Sequence, residues 1–337
     1  MKAVILSGGE GRRLRAVTGE TPKPLVPLLG RPLLEHILLL LKAHGVTEVC
    51  CAVKYRAEEI MARIGDGKSL GMQVEYRLER EALGTAGAVK NCADFTGDED
   101  FLVLSGDAAC DFDLTALAEA HRAEGAAATL ALYRDPSPLR YGLTVTDSDG
   151  FVRAFIEKPG WSRVVTDLVN TGIYVLTPRA MGAVPKGRVF DFARDLFPLL
   201  LERGETLLGY PPAGYWADVG TPLSYYRCCV DALEGRLKLQ PGGDFSLAAA
   251  PEPEGAAEGI PCPCHDRAAL MGTLSELFLE LGADYADGIR LRQPGYEVHI
   301  YPESRREAIR IAVHADDAAF ARQLALSARD VAKALDL

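Results

Sequence analysis

Four apolar residues, Ala3-Val4-Ile5-Leu6, followed at once by Ser7-Gly8-Gly9-Glu10-Gly11, constrain this chain more than any other stretch. A run of that length bounded by glycines reads as a buried strand ending in a tight turn. Glycines leave backbone N–H groups unobstructed, so an anionic group can approach the chain closely. Arg12, Arg13 and Arg15 come next, and Lys23 stands between Pro22 and Pro24, whose fixed φ limits how far its amine wanders. A glycine turn, arginines and a braced lysine suit a polyphosphate. Taken alone, a Gly-rich turn is weak ground, because such turns also serve only to reverse a chain. The pattern is neither GxGxxG nor GxxxxGK(S/T), since Gly9-Glu10-Gly11-Arg12-Arg13-Leu14 has no third glycine and no Lys-Ser/Thr.

The segments after this turn have the patterns of a sheet built around that first strand. Arg31 to His44 has amphipathic helical spacing, with Pro32 in its first turn and Gly45 as its stop. Val46 to Val53 reads as a buried strand, Ala57 to Ile64 as a helix and Val74 to Arg77 as extended chain. Strand-helix alternation implies right-handed crossovers and a mostly parallel, Rossmann-like α/β sheet. Ligands of such sheets collect at the carboxyl ends of the strands, where the glycine turn lies. An NAD-dependent oxidoreductase would carry a ribose-binding acid at the end of the second strand, but that strand ends in Val53-Lys54-Tyr55.

With 337 residues the chain has length for two domains. Its 47 acidic and 37 basic residues give a net charge of −10, which argues against nucleic acid as a partner and for small molecules. No apolar run approaches the ~18 residues of a membrane span and no basic-then-apolar leader opens the chain, so a cytoplasmic location without membrane contact is expected. The eight cysteines are expected to be reduced and packed as small hydrophobes. Cys262-Pro263-Cys264-His265 has the look of a metal half-site but lacks a second ligand pair at structural-zinc spacing.

Further along, Glu79-Arg80-Glu81-Ala82-Leu83-Gly84-Thr85-Ala86-Gly87-Ala88 reads as a loop feeding a helix from Thr85 to Asn91. Phe101 to Leu104 is a buried strand ending in Ser105-Gly106-Asp107, which points an acid at a cleft where a phosphate-bound Mg²⁺ would lie. An acid after a strand also caps helices, a role for which Asp111 or Asp113 in CDFDLTALAEA is better placed, with Asp111 a lesser metal candidate. Strands are expected at Thr129 to Tyr133, Tyr141 to Val145 and Val152 to Ile156, the last two joined by a turn at Asp147 to Gly150. Glu157-Lys158-Pro159 and Asn170-Thr171-Gly172-Ile173-Tyr174 come next, then a helix from Phe190 to Arg203, a strand near Leu207, Trp216-Ala217-Asp218-Val219-Gly220-Thr221-Pro222 and a helix from Ser224 to Leu233.

Gly8, Gly9, Gly11, Arg13, Leu14, Thr18, Pro22, Lys23, Pro24, Leu25 and Pro27 match GGxGxRLxxxTxxxPKPLxP, and the chain thereby resembles the sugar-1-phosphate nucleotidyltransferases, which make nucleotide sugars. The resemblance implies a GT-A-like catalytic domain over 1–234 and a Mg²⁺-dependent transfer from an NTP to a sugar 1-phosphate. It gives Arg13, Lys23 and Lys158 the phosphate chemistry and Asp107 with Asp218 the metal. Leu6, Gly8, Gly9, Gly11, Arg12, Glu81, Gly84 and Thr85 are then expected at the nucleotide, where the Glu81 carboxylate could accept guanine's N1–H and N2 amine. Gly142, Glu157, Asn170 and Gly172 are expected at the sugar. Within the family the chain looks most like the mannose-1-phosphate guanylyltransferases; glucose 1-phosphate with dTTP or UTP, a heptose 1-phosphate, and a catalytically silent nucleotide-sugar sensor are the alternatives.

Residues 235–263, rich in Gly, Pro, Ala and Glu, read as a linker, with no hexapeptide repeat after it. The tail, 264–337, has helical spacing over Ala268 to Leu281 and Asp316 to Leu335 and strands at Glu297 to Tyr301 and Ala308 to Val313, a small α+β domain. Asp287-Gly288-Ile289-Arg290 and Tyr301-Pro302 resemble the C-terminal domain of the phosphohexomutases. Its phosphate loop would be Tyr301 to Glu307, with Arg305 and Arg306 as phosphate ligands or as solvated surface charges. The glycine and threonine of that loop are lost, so a structural, oligomerising or regulatory tail is expected, and with it a homo-oligomer.

Overall fold

The computed structural model describes residues 1–11, 14, 18–135, 138, 141–157, 164–233, 235–240, 242, 257–279, 283, 288–293, 296–302, 308–315 and 318–335. Arg12, Arg13, Arg15, Lys158, Pro159, Asp287, Arg305 and Arg306 lie outside the described residues, as does 243–256 of the expected linker. Two compact units emerge: Met1–Glu10, Pro22–Leu25 and Pro32–Asp218 form the first, and Gly11–Thr21, Val26–Arg31 and Val219–Leu337 the second.

The first unit is built on a nine-stranded sheet. Strand β1 (Ala3–Ser7) lies between β2 (Glu48–Val53) and β4 (Phe101–Ser105), parallel to both, and β3 (Gln73–Leu78) extends the sheet beyond β2. Short β5 (Ala108–Cys110) follows β4 outside this sheet, and β6 (Ala128–Arg134), β7 (Leu143–Thr146), β8 (Val152–Ile156) and β9 (Leu168–Leu176) return to it. The second half is mixed: β9 runs antiparallel to β4, β6 and β7, β8 runs antiparallel to β7, and β10 (Leu207–Tyr210) runs parallel to β6. Long apolar runs here do not alternate with polar residues because both faces are covered. On β1 and β2 the period of two sends Ala3, Ile5, Val49 and Cys51 into one core with α1 (Leu33–Ala43) and α2 (Ala57–Ile64). Val4, Cys50 and Ala52 go into the other, with α3 (Gly84–Lys90) and Phe197 and Leu200 of α5 (Phe197–Glu202), which follows α4 (Leu114–Glu124) in the chain. All eight cysteines are free, and all but the partly exposed Cys229 are buried.

Local signals are honoured closely. Asp113 caps α4, its carboxylate accepting from Ala116 N, and Gly45 ends the first helix at φ 75°. Pro32 stands at the cap of α1 rather than inside its first turn. The expected helix from Phe190 is different in kind: Phe192–Leu196 is a π-helical turn that feeds α5. Asp191 caps it by accepting from Ala193 N and Arg194 N, and Phe192, Phe197 and Tyr174 pack together with ring centroids 4.9–5.4 Å apart. Burying those rings together outweighs the regular 3.6-residue spacing.

In the second unit, α6 (Pro222–Leu233) precedes a four-stranded antiparallel sheet in the order β12 (Ala257–Pro263), β15 (Ala308–Ala315), β14 (Tyr296–Pro302), β13 (Ile289–Gln293). Helices α7 (Arg267–Leu279) and α8 (Ala318–Leu335) join its core, where Leu270, Leu274, Ile300, Ile311, Ala321 and Ala325 meet. Strand β12 corrects the expectation of a linker throughout 235–263. Its prolines suggest a loop, but among the described residues β12 pairs with β15 alone, and an edge strand tolerates residues that donate no N–H. Cys262 and Cys264 are buried in this core, and no group of three or more metal-binding side chains occurs among the described residues. No described helix is long and apolar enough to cross a membrane.

Candidate active site

Because β1, β2 and β4 are parallel and in register, Ser7, Val53 and Ser105 end on one edge, and the residues that come after them share it. Gly8 stands beside Lys54: a Cβ on it would lie 3.3 Å from Lys54 Cβ and 3.7 Å from Glu79 Oε1, whereas one on Gly9 would meet nothing within 4 Å. Leu6 accepts a hydrogen bond from Gly106 N (2.8 Å). Gly106 has no room for a side chain, since a Cβ would sit 2.4 Å from Ser7 Oγ and 2.8 Å from Leu6 O. That close packing aims the next residue, Asp107, off the end of the sheet.

Asp218 arrives by another route. Strand β11 (Trp216–Asp218) pairs antiparallel with β5, which sets Asp218 opposite Ala108. Asp111 helps fix this, its Oδ1 accepting from Tyr215 N at 2.6 Å. Lys23 sits on a short 3-10 turn, 6% exposed. Its ammonium donates to Asp107 Oδ2 at 2.8 Å and to Asp218 Oδ1 at 2.9 Å, joining residues 84 and 195 positions away. Burial opposes the charge on Lys23, but the two carboxylates outweigh it and hold the amine above the ordinary lysine range. Burial also opposes the charge on Asp107, and there the Lys23 ammonium and the Ser105 hydroxyl, donating at 2.5 Å, hold the carboxyl below the usual range.

A cleft of about 240 Å³ opens from these groups. Asp107, Asp218, Gly142, Glu157, Asn170 and Gly172, assigned from fragments far apart in sequence, all line it. A bulge in β9 makes this possible: pairing with β6 is interrupted between Asn170 and Tyr174, and Gly172 takes φ 77° there. Asn170 Oδ1 accepts from Gly172 N (3.2 Å) and Tyr174 Oη (3.0 Å), so its amide nitrogen is the end turned to other partners. Gly142 is held by Asn170 N donating to its carbonyl, and a Cβ on it would lie 2.9 Å from Glu157 Oε2. A larger pocket of about 440 Å³ shares Gly142, Glu157 and Asn170 with the cleft and includes Arg194, whose guanidinium is 3.8 Å from Glu157.

Gly84 and Thr85 answer to the fold. The Thr85 hydroxyl donates to Asp191 Oδ2 (2.8 Å) and accepts from Phe192 N (3.0 Å), and Gly84, at φ 70°, would carry a Cβ 2.6 Å from Phe190 O. Both are thereby packed against Phe190–Phe192. Glu81 is exposed, while Glu79 is the acid beside the glycine turn; burial raises its pKa against a hydrogen bond from Leu83 N and the Lys54 charge. Gly11 has φ 62° and accepts from Leu14 N. Trp216 was open to discovery from sequence, because it stands two residues before Asp218 on a strand and so shares its face. It lines the cleft 5% exposed, edge-on to Tyr141, its indole N–H without a partner among the described residues.

Two carboxylates converging on one cation fit Mg²⁺, which takes one or two protein carboxylates and leaves its other positions to phosphate oxygens and water. A 38% identity over 234 residues links this chain with a mannose-1-phosphate guanylyltransferase of Mycobacterium tuberculosis, covering 69% of the chain and 65% of that protein. A UTP–glucose-1-phosphate uridylyltransferase of Synechocystis sp. is 36% identical over 251 residues, 71% of the chain and 65% of that protein. The chain thus spans about 65% of the length of these curated relatives. Among solved structures, HddC from Yersinia pseudotuberculosis complexed with GMP-PN superposes with a TM-score of 0.58 at 29% identity, over 68% of this chain and 97% of that one. Residues 2–235 match the family described as nucleotidyl transferase, and with the strand-turn-lysine signature and the paired acids in place, the chain belongs to that family.

Proposed function

We propose that this chain transfers a nucleotidyl group from an NTP to a hexose 1-phosphate with release of pyrophosphate, and that GTP and mannose 1-phosphate are its substrates. The observation that carries the reading is the convergence of Lys23, Asp107 and Asp218 beside a cleft that the two acids line together with Glu157 and Asn170. A sugar-phosphate oxygen attacks the α-phosphorus in line, the bond from the α-phosphorus to the bridging oxygen breaks, and pyrophosphate leaves. The nucleophile is already an anion, so positioning and charge neutralisation carry the rate and no general base is needed.

Asp107 and Asp218 would hold Mg²⁺, which supplies positive charge at the α-phosphate when bound. Leu6, Gly8, Gly9 and Gly11 leave the triphosphate room, Arg12, Arg13 and Lys23 offset its charge, and Lys158 steers the incoming phosphate. Glu157 and the Asn170 amide read sugar hydroxyls beside Gly142 and Gly172. Glu81, exposed in the loop that feeds α3, accepts from guanine's N1–H and N2 amine, and the guanylyltransferase relatives support GTP. The tail is a non-catalytic element through which a homo-oligomer forms.

Pyrophosphate release with Mg²⁺, measured over GTP, dTTP, UTP, ATP and CTP against mannose, glucose and heptose 1-phosphates, tests this directly. Turnover restricted to GTP with mannose 1-phosphate is expected; a preferred UTP–glucose or GTP–heptose pair would replace the substrates and keep the reaction. Gly142→Ala is expected to push the Glu157 carboxylate aside and raise KM for the sugar phosphate roughly ten- to hundredfold, with KM for the NTP unchanged. An equal rise in both KM values would remove Gly142 and Glu157 from the sugar side.

A further inference from the structure

We infer that Asp191, which lines neither the cleft nor the larger pocket, is a positioning residue for the sugar side of the site: it ties Asn170 to the first turn of α3 through Thr85, Phe192 and Tyr174. The inference rests on the reading of Asn170 as a sugar ligand. The Asp191 carboxylate accepts from the Thr85 hydroxyl at 2.8 Å through Oδ2, and from Ala193 N and Arg194 N at 3.0 and 3.3 Å through Oδ1, so both of its oxygens are committed. Its own N–H donates to Asp195 Oδ2 at 2.7 Å. The Thr85 hydroxyl closes this set of contacts by accepting from Phe192 N at 3.0 Å. Thr85 stands at the start of α3, whose Ala86, Ala88 and Val89 are buried in the core, so the bridge ends on packed structure. Asp191 and Thr85 together thus fix the backbone from which the Phe192 ring projects.

That ring is 1% exposed and lies 4.9 Å from the ring of Tyr174, whose hydroxyl donates to Asn170 Oδ1 at 3.0 Å. The contact decides which end of the Asn170 amide serves a ligand, since an oxygen already accepting from Tyr174 and from Gly172 N leaves the nitrogen to donate to a sugar hydroxyl. Strand pairing does not fix this segment, because the ladder between β9 and β6 is interrupted between Asn170 and Tyr174. Packing and hydrogen bonds behind the ligand-contacting residue do so instead, and a shift of about 1 Å in such a group is enough to cost roughly a hundredfold. The π-helical turn that Asp191 caps sends Phe192 to Tyr174 and presents Ala193 and Arg194 to the larger pocket, a use in keeping with the frequency of such turns at functional sites.

KM for the sugar phosphate and for the NTP, measured on the full chain by pyrophosphate release with GTP and mannose 1-phosphate or the pair that turns over, tests the assignment. Asp191→Ala is expected to raise KM for the sugar phosphate about tenfold and to leave KM for the NTP near the wild-type value. Asp191→Asn keeps an oxygen for the turn and offers an N–H to the Thr85 hydroxyl, so it should recover most of the loss. Thr85→Val removes the same bridge with the cap of the turn intact and should raise the same KM, which separates the effect from a destabilised turn. In an Asn170→Ala background Asp191→Ala should add nothing, because residues that act through one another are not additive. An unchanged KM for the sugar phosphate in Asp191→Ala and Thr85→Val, an equal rise in both KM values, or additivity with Asn170→Ala would overturn the positioning role and keep the sugar reading. Asn170→Ala with a wild-type KM for the sugar phosphate would overturn both.

Discussion

Lys23→Ala is expected to lower turnover about 10²- to 10³-fold, the usual consequence of removing one preorganised charge from a developing anionic transition state. Pyrophosphate release under saturating substrates is the measurement, and turnover within a few fold of wild type would remove Lys23 from the chemistry. The expected size follows from its position. Lys23 is nearly buried and bound by two acids, so water does not reproduce its charge at that point. Lys23→Arg should not rescue, because a guanidinium is planar and larger than the ammonium that fits between Asp107 and Asp218. Fold stability should suffer less than the ~3–5 kcal/mol that accompanies breaking a fully buried pair, since both aspartates retain solvent contact. A thermal melt of the same variant therefore separates lost chemistry from lost fold.

Gly84→Ala is expected to show the largest effect on stability, about 2–5 kcal/mol. Two costs add: a side chain in the left-handed region, ~1–2 kcal/mol, and an overpacked contact, ~1–3 kcal/mol. The second is hard to relieve because the obstacle is backbone: Phe190 O, 2.6 Å from the new Cβ, already accepts from Gly87 N at 3.0 Å, and Phe190 N donates to Leu83 O. For chains of this size each kcal/mol moves the melting temperature by about 2–4 °C. A melting temperature unchanged within about 2 °C would mean that the segment does not depend on this packing. If KM for the NTP stays near the wild-type value below the melting transition, Gly84 serves the fold; a KM raised with unchanged stability would return it to the nucleotide.

The glycine-rich strand end, the lysine between prolines and the two acids were legible in the sequence because their spacing is local and their residue types are chemically narrow. Asn170 and Gly172 were legible only as a fragment. Their place at the cleft depends on the β9 bulge, which no local pattern announces. The partners of Thr85 were not legible either. A small polar residue after a glycine suits a ligand, and only the chain returning at Asp191 and Phe192 shows where its hydroxyl goes. Glu79 and Glu81 differ by two positions in the same loop, and nothing in their immediate neighbours says which of them folds back beside Gly8.

By itself the sequence determined most helices and strands, since caps, glycine stops and period-two burial act within a few residues: Ala57–Ile64 and Val152–Ile156 fall where their patterns place them. It also determined which residue types were present to meet a polyphosphate and a divalent ion. The tertiary structure alone decided which side chains meet: that Lys23 bridges Asp107 and Asp218, that Asp111 pins Tyr215, that Trp216 lines the cleft, and that the proline-rich 257–263 closes a sheet. The physical reason is range. Backbone preference and hydrophobic period are set by neighbours in the chain, whereas ion pairing, bulges and edge-strand pairing depend on partners up to 195 residues away, brought near only when the sheet is complete.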